Sequence, residues 1–249
     1  MKSAEIVREI IDSVNGDYAV RDIRTCCYWT AVSSRGCGLA STFIDSCPRH
    51  DGPAVSNTGK LMDKSAKILA ELSLSDHLLE ATIGMASLNS LIEIDESLCS
   101  KENAYDVIAP HSGGKNLVIV GHFPFASKLA DVAGSLVILQ KSKSESPTLD
   151  ENEKRALEEA DVAVITGTSL INHSLDQLLL HVNKKAVKIM VGPTTPMSPV
   201  FFDYGFEYLC GIKVVDEAVA LKCISEGATF KEVKGVKMLT MKRDSQVKG

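Results

Sequence analysis

Apolar positions recur along this chain in two rhythms, and the change of rhythm divides it. Ile6, Ile10 and Val14 repeat at spacing four with Val7 and Ile11 beside them, which predicts an amphipathic helix closed by Asn15-Gly16-Asp17. Two β-rich runs follow, 18–33 and 37–44, around the turn Ser34-Arg35-Gly36. The stretch 47–59 reads as loop, and helices are predicted over 60–72 and 76–91. The second carries Gly84, Ala86, Ser87 and Ser90, small side chains that permit close packing or leave room for a ligand.

Pro110, Gly113 and Gly114 form a turn cluster, and after it the pattern becomes strand, helix, strand. Leu117-Val118-Ile119-Val120 is a continuous apolar run, as expected of a strand buried on both faces of a parallel sheet. Further strands are predicted over 135–139, 162–166, 187–191 and 208–215. Helices are predicted over 124–132, 170–182 and 216–226, with another from Thr148, at capping-box spacing from Glu151, through Glu159. The tail after Gly235 fits either a last strand or a solvated end. The fold class is α/β: a small α+β domain over 1–109, then a Rossmann-like three-layer domain with a mostly parallel sheet over 110–249.

Composition narrows the setting. The chain has 249 residues, 45% hydrophobic and 24% charged, with a formal net charge of −5, so neither nucleic acid nor an anionic membrane is an expected partner. The seven cysteines are odd in number and scattered, and no secretory signal precedes them, so reduced thiols in a cytoplasm are the expectation.

Candidate chemistry sits at three predicted strand ends, because open α/β sheets bind ligands outside the carboxyl ends of their strands. These are Gly121-His122-Phe123-Pro124-Phe125, Thr166-Gly167-Thr168-Ser169 and Gly192-Pro193-Thr194-Thr195-Pro196-Met197-Ser198-Pro199. The last holds three of the eight prolines, more stiffening than a plain connection needs. Free N–H groups at the helix starts, with the helix dipole, suit an anion or carboxylate. His122 is the candidate catalytic acid or base and a weak metal-ligand candidate. His173, at the start of another strand-end helix, could converge on the same cleft. Asn172 and Asn89 offer a donor and an acceptor each at positions where helices do not favour Asn.

Several alternatives weaken. No G-x-G-x-x-G follows the 117–120 strand, and the second strand ends in Gln140-Lys141 where a nucleotide-binding fold carries an acidic ribose partner, so there is no NAD signature. Cys47-Pro48-Arg49-His50, with Cys37 upstream, has metal-ligand residue types, but this spacing is equally that of ordinary free thiols.

The segments 121–125, 165–172 and 191–196, in this order, resemble the putative heavy-metal chelation domain family. Gly36-Cys37-Gly38-Leu39-Ala40 and the 84–89 helix segment resemble the small domain fused in front of it. The resemblance implies an enolase-N-terminal-like domain followed by a Rossmann-like one, with an inter-domain cleft completed by a homodimer. It marks Gly121, His122, Phe123, Pro124, Thr168, Asn172, Gly192, Pro193, Thr194, Thr195, Pro196 and Asn89 as cleft positions. It implies a small anionic molecule or metal chelate as partner and a transition-metal ion as possible cofactor. It supplies no mechanism, so whether the protein is an enzyme stays open. Three functions compete: metal or metal-chelate handling, an enzyme acting on an anionic metabolite or cofactor precursor, and a non-catalytic sensor or scaffold.

Overall fold

The computed structural model describes residues 2–44, 53–140 and 148–243. Helix α1 (Lys2–Ser13) opens the chain and is followed by a hairpin-linked set, β1 (Asp22–Thr25), β2 (Trp29–Ser33) and β3 (Cys37–Ser41). Then come α2 (Ala66–Ala70), α3 (Leu78–Leu91), β4 (Cys99–Ser100), α4 (Ala104–Ser112), β5 (Asn116–Val120), α5 (Ala126–Leu129) and β6 (Ser135–Leu139). The remainder is α6 (Glu151–Glu158), β7 (Val162–Thr166), α7 (Leu175–His181), β8 (Val187–Val191), α8 (Val200–Asp203), β9 (Phe206–Val214), α9 (Glu217–Ser225) and β10 (Val236–Lys242).

Two sheets result. β1, β2 and β3 form an antiparallel three-stranded sheet; the other has seven strands in the order β4-β10-β9-β8-β7-β5-β6. Within it β6, β5, β7, β8 and β9 are parallel, and β10 runs antiparallel to both β9 and β4. Strand order reverses at β5: the chain moves to β6 on one side, then crosses back to β7 on the other.

Successive residues of the central strands belong to opposite cores. Leu117 and Ile119 of β5, with Val162 and Val164 of β7, join one apolar cluster; Val118, Ala163 and Ile165 join another. Burial on both faces is why these strands read as unbroken apolar runs. The second cluster also contains Ile6 and Ile10 of α1, Leu69 of α2, and Ile83 and Leu88 of α3. One core therefore joins the front helices to a face of the large sheet. A third cluster packs Trp29, Ala31 and Leu39 against Leu221 and Ile224 of α9, so the small sheet is held between α3 and α9.

The approach of β3 to α3 leaves no room for a side chain. A β-carbon built at Gly38 would lie 2.1 Å from the Ala86 carbonyl oxygen and 2.3 Å from the Ser90 nitrogen. One at Gly84 would lie 1.9 Å from the Ser73 nitrogen, so the small residue there serves packing against the 3-10 turn Glu71–Leu74.

Several predicted elements differ in detail. The 60–72 helix is broken: Ser65 accepts a hydrogen bond from the Ile68 nitrogen and caps α2, with short 3-10 turns on either side. The capping box before α6 is Asp150 with Glu153, not Thr148 with Glu151, since both reciprocal bonds are made by that pair. Pro110 lies inside the last turn of α4, not in the turn cluster that follows it. The 124–132 helix shrinks to α5. The predicted 170–182 helix starts only at Leu175, because His173 adopts a left-handed φ of 55° that a helix cannot include. The tail is β10, in register with β9 from Val236 opposite Val214 to Lys242 opposite Tyr208. Cys47, His50 and Lys141 lie outside the described residues.

Gly38→Ala should lower the unfolding free energy by about 3 kcal/mol in urea titrations, because the obstructing atoms are main chain and cannot swing away. Gly113→Ala, with nothing within 4 Å of the added carbon, should change it by less than about 1 kcal/mol.

Candidate functional site

The reversal of strand order at β5 makes the carboxyl ends of β5 and β7 the place where doubly wound sheets bind their ligands. Gly121 ends β5 with a φ of 113° and donates its N–H to the Leu139 oxygen at 2.9 Å. A β-carbon there would come within 3.0 Å of Thr166 Cβ, so only glycine lets the two strand ends meet this closely. His122 and Pro124 are exposed, and half-buried Phe123 stacks on Phe125 with ring centroids 5.3 Å apart. Thr166 Oγ1 accepts from the Thr168 nitrogen at 3.3 Å and lies 3.0 Å from Thr168 Oγ1, so the two hydroxyls are paired. The buried Ser169 hydroxyl donates to the Thr166 carbonyl at 2.7 Å.

The helix-dipole expectation weakens here. Helices α5 and α8 have four residues each, and β7 is followed by a four-residue 3-10 turn, Gly167–Leu170. One turn aligns too few peptides for a sizeable macrodipole. An anion at these strand ends would depend on hydroxyls, local N–H groups and His122.

Asn172 stands before α7 rather than in it, and its Oδ1 accepts from the Ser174 nitrogen at 3.2 Å and the Ser174 hydroxyl at 2.7 Å. His173 Nε2 lies 2.9 Å from the Ser75 carbonyl oxygen, which its N–H tautomer donates to. His173 thus tethers the β7 loop to the segment before α3 rather than joining His122. Ser75 in turn donates its hydroxyl to Glu80 at 2.6 Å, and Glu80 also accepts from the Ser56 nitrogen at 2.7 Å. Burial pushes the Glu80 carboxyl up, but the Ser75 and Ser56 hydrogen bonds outweigh it and hold the group below its ordinary value.

Residues 194–198 of the proline-rich loop after β8 are buried, Gly192 and Pro193 are half-buried and Pro199 is exposed. Gly192, with a φ of 118°, faces open space, while Thr194 and Thr195 are only 1% and 2% exposed and Pro196 is buried. Thr194 Oγ1 accepts from the Ser41 nitrogen at 3.0 Å, and Asn89 Nδ2 donates to the carbonyls of Leu39 at 2.9 Å and Thr194 at 3.1 Å. Asn89 therefore ties α3, β3 and the loop together. Thr195 backs onto the β7 end: a β-carbon at Gly167 would lie 2.6 Å from the Thr195 nitrogen.

The expected site residues thus fall into two groups. Gly121, His122, Phe123, Pro124 and Thr168 stand at the β5 and β7 ends, whereas Asn89, Thr194, Thr195 and Pro196 belong to the dock between the front half and the β8 loop.

A family model described as "Putative heavy-metal chelation" matches residues 103–242, and a second model with the same description matches residues 7–92. The chain belongs to this family. An uncharacterized protein of Methanocaldococcus jannaschii is 25% identical to it over 204 residues, covering 78% of this chain and 77% of that one. Two crystal structures of proteins of unknown function from the DUF364 family share the fold. The one from Desulfitobacterium hafniense has a TM-score of 0.81 at 24% identity, over 97% of this chain and 99% of that one. The one from Pyrococcus horikoshii has a TM-score of 0.80 at 19% identity, over 98% and 100%.

The chelation family's description invites a search for ligands. Among the described residues no three His, Cys, Asp or Glu side chains are grouped to hold an ion. The strand-end donor set of one histidine and two threonines does not fit a bare divalent transition-metal ion, which takes four or more ligands.

Asn89, Pro193 and Thr195 also line a crevice of about 80 Å³ with Cys37, Met197 and Ile212. Burial pushes the Cys37 thiol up to about 11, against the opposing influence of the Ser33 hydroxyl beside it. Ser33 faces Cys37 across the β2–β3 hairpin, close enough to favour the thiolate but without hydrogen-bond geometry. Ser33 and Thr195 carry buried hydroxyls that find no partner among the described residues, and such a group typically costs about 1–3 kcal/mol. Thr166 belongs to the second strand-end motif, but no role was expected of it; Ser33 lies in none of the motifs, and its place opposite Cys37 appears only once the hairpin register is set.

Asn89→Ala removes both inter-element hydrogen bonds and should cost about 1–3 kcal/mol in chemical denaturation, with faster amide exchange at Ser41. Because the folded thiol titrates above its ordinary value of 9.0, burial of Cys37 stabilises the fold below pH 9, and that contribution is lost as pH rises toward 11. At pH 8, iodoacetamide should modify Cys37 at least about ten-fold more slowly than the exposed Cys27, as read by peptide mass spectrometry.

Proposed function

We infer that this protein binds a small anionic molecule, free or as a metal chelate, at the carboxyl ends of β5 and β7. The observation that supports this most is the reversal of strand order at β5, where Gly121 approaches Thr166, which pairs with the Thr168 hydroxyl, and is followed by the exposed His122. The hydroxyls would take oxygen atoms of the ligand, Phe123 would contact its carbon skeleton, and the open face of Gly192 would leave room alongside. The family description adds the metal, and the donor set makes it cargo: it arrives held by an organic chelator, with His122 completing one position at most. No helix among the described residues is long and apolar enough to cross a membrane.

The reading extends to a cytoplasmic homodimer, with an enolase-N-terminal-like domain over 1–109 and a Rossmann-like domain over 110–249. Edge strand β6 supports the dimer: among the described residues its outer side is unpaired, and Val137 and Ile138 are exposed on it. Catalysis, where a bound metabolite is turned over, would fall to His122 as general acid or base.

Calorimetry with nickel citrate, citrate alone and nickel alone tests the reading. The chelate should bind, with His122→Ala and Thr168→Val each weakening it about ten-fold, close to the worth of one charge-assisted hydrogen bond. Binding of none of the three, or an affinity that neither variant changes from the wild type's, would sink it.

A further inference from the structure

A sheet edge presents unpaired N–H and C=O groups to any strand that meets it, and folded chains blunt such edges. Among the described residues three of the four edges are blunted. β1 carries the Asp22–Arg24 ion pair at 2.8 Å, and β4 has two residues. Along β3, the Leu39 carbonyl is taken by Asn89 and the Ser41 nitrogen by Thr194. β6 has none of these protections. Its five residues, Ser135-Leu136-Val137-Ile138-Leu139, hold no charge and no proline, and no described strand pairs with its outer side. In register with β5, Leu136 and Ile138 stand beside Leu117 and Ile119, and Val137 and Leu139 beside Val118 and Val120. Those neighbours belong to the two cores on opposite faces of the sheet. Both cores therefore run out to the edge, where Val137 is 38% and Ile138 45% exposed. The main chain sets how another strand can bond there. Ser135 donates its N–H to the Lys115 oxygen at 3.2 Å and Leu139 accepts from the Gly121 nitrogen at 2.9 Å, so residues 135, 137 and 139 face β5. Leu136 and Ile138 point their N–H and C=O groups outward.

We propose that two copies of this chain join antiparallel along β6, about a two-fold axis through Val137, so that their large sheets become one sheet of twice seven strands. This rests on the homodimer reading above and gives it an interface, an axis and a register. With Val137 opposite its own counterpart, Leu136 of each copy stands opposite Ile138 of the other, and the outward-facing residues exchange both their main-chain bonds. A two-fold interface needs a patch that complements itself. β6 supplies one: Leu136 meets Ile138 on one face, and on the other the two Val137 side chains meet as a close, non-hydrogen-bonded pair. Moving the axis to Leu136 or Ile138 would set Gly134 or Gln140 opposite an apolar side chain. Charge points the same way. Each chain has a formal net charge of −5, and the uncharged β6 lets two such chains meet without opposing like charges. Exposed Lys128 of α5 precedes exposed Asp131, so an antiparallel approach brings Lys128 of one copy toward Asp131 of the other.

Sedimentation equilibrium of the full chain between about 1 and 100 μM should show a dimer. Val137→Lys, which sets two ammonium groups face to face, should raise its dissociation constant about ten-fold or more. Circular dichroism checks that the substitution, at an exposed position, leaves the fold intact. The axis is read by cysteine substitution under oxidised glutathione, with peptide mass spectrometry to locate the link. The Cα atoms of a non-hydrogen-bonded pair lie about 4.5 Å apart, within disulfide reach, so Val137→Cys should give a covalent dimer joined 137 to 137. Ser135→Cys, also at an exposed position but displaced ~14 Å along the strand from its counterpart, should not cross-link. If Val137→Lys does not fold, the two cysteine variants decide alone. A monomer at every concentration would overturn this proposal together with the homodimer reading. A dimer that folded Val137→Lys leaves unchanged, or one in which Val137→Cys forms no 137–137 link, would overturn the β6 pairing and leave a homodimer joined by another surface.

Discussion

Everything in the front half of this molecule depends on two main chains meeting without side chains between them. Gly38 lets β3 lie directly on α3, with the Ala86 carbonyl and the Ser90 nitrogen where a β-carbon would be. Only at that distance can Asn89, near the end of α3, reach across to the Leu39 carbonyl and on to Thr194. The small sheet, the helix and the β8 loop are thereby fixed as one piece. The same contact leaves the outer face of the small sheet free to pack Trp29, Ala31 and Leu39 on α9. A steric accommodation at one residue thus sets the relation between the two sheets.

That docking explains the proline-rich loop in terms of solvation rather than ligand contact. A connection that runs through the interior must satisfy its polar groups internally. Thr194 does so through Ser41 and Asn89, and Thr195 through its own N–H to Gly192, with only its hydroxyl left over. Three prolines reduce the number of N–H groups that need partners and lower the entropy lost on ordering the loop. Stiffness here is what an interior loop requires. The strand ends of β5 and β7, by contrast, keep an exposed histidine and a half-buried hydroxyl pair.

The sequence is most legible where one physical cause dominates. Runs such as Leu117-Val118-Ile119-Val120 announce strands covered on both faces, and the five parallel strands lie where their patterns place them. Helix ends are less legible, because they depend on partners distant in sequence. His173 leaves the helical region where its ring meets Ser75, and the 60–72 pattern breaks at Ser65, whose neighbour Ala66 hydrogen-bonds to Tyr18. The candidate site was legible as three glycine-bearing strand ends but not as two separate groups. Spacing does not reveal that Thr194 and Asn89 face main-chain carbonyls and amides while Thr166 and Thr168 face each other. Nor can spacing show that Ser33 sits beside Cys37 and that Met197 lines the same crevice.

β10 sits between β9 and β4 in the large sheet, although β4 precedes every parallel strand in the chain. During synthesis the short β4 therefore waits for its neighbour until β10, which follows every parallel strand, has left the ribosome. Long-range pairings of this kind slow folding, since the entropy of closing the intervening chain is lost before the contact repays it. The parallel strands can assemble meanwhile, but with the β9 edge open and one face short of Leu239 and Met241. A nascent chain stalled before β10 would thus present an apolar edge to its neighbours in a polysome, and the last strand acts as the closing seam of the molecule.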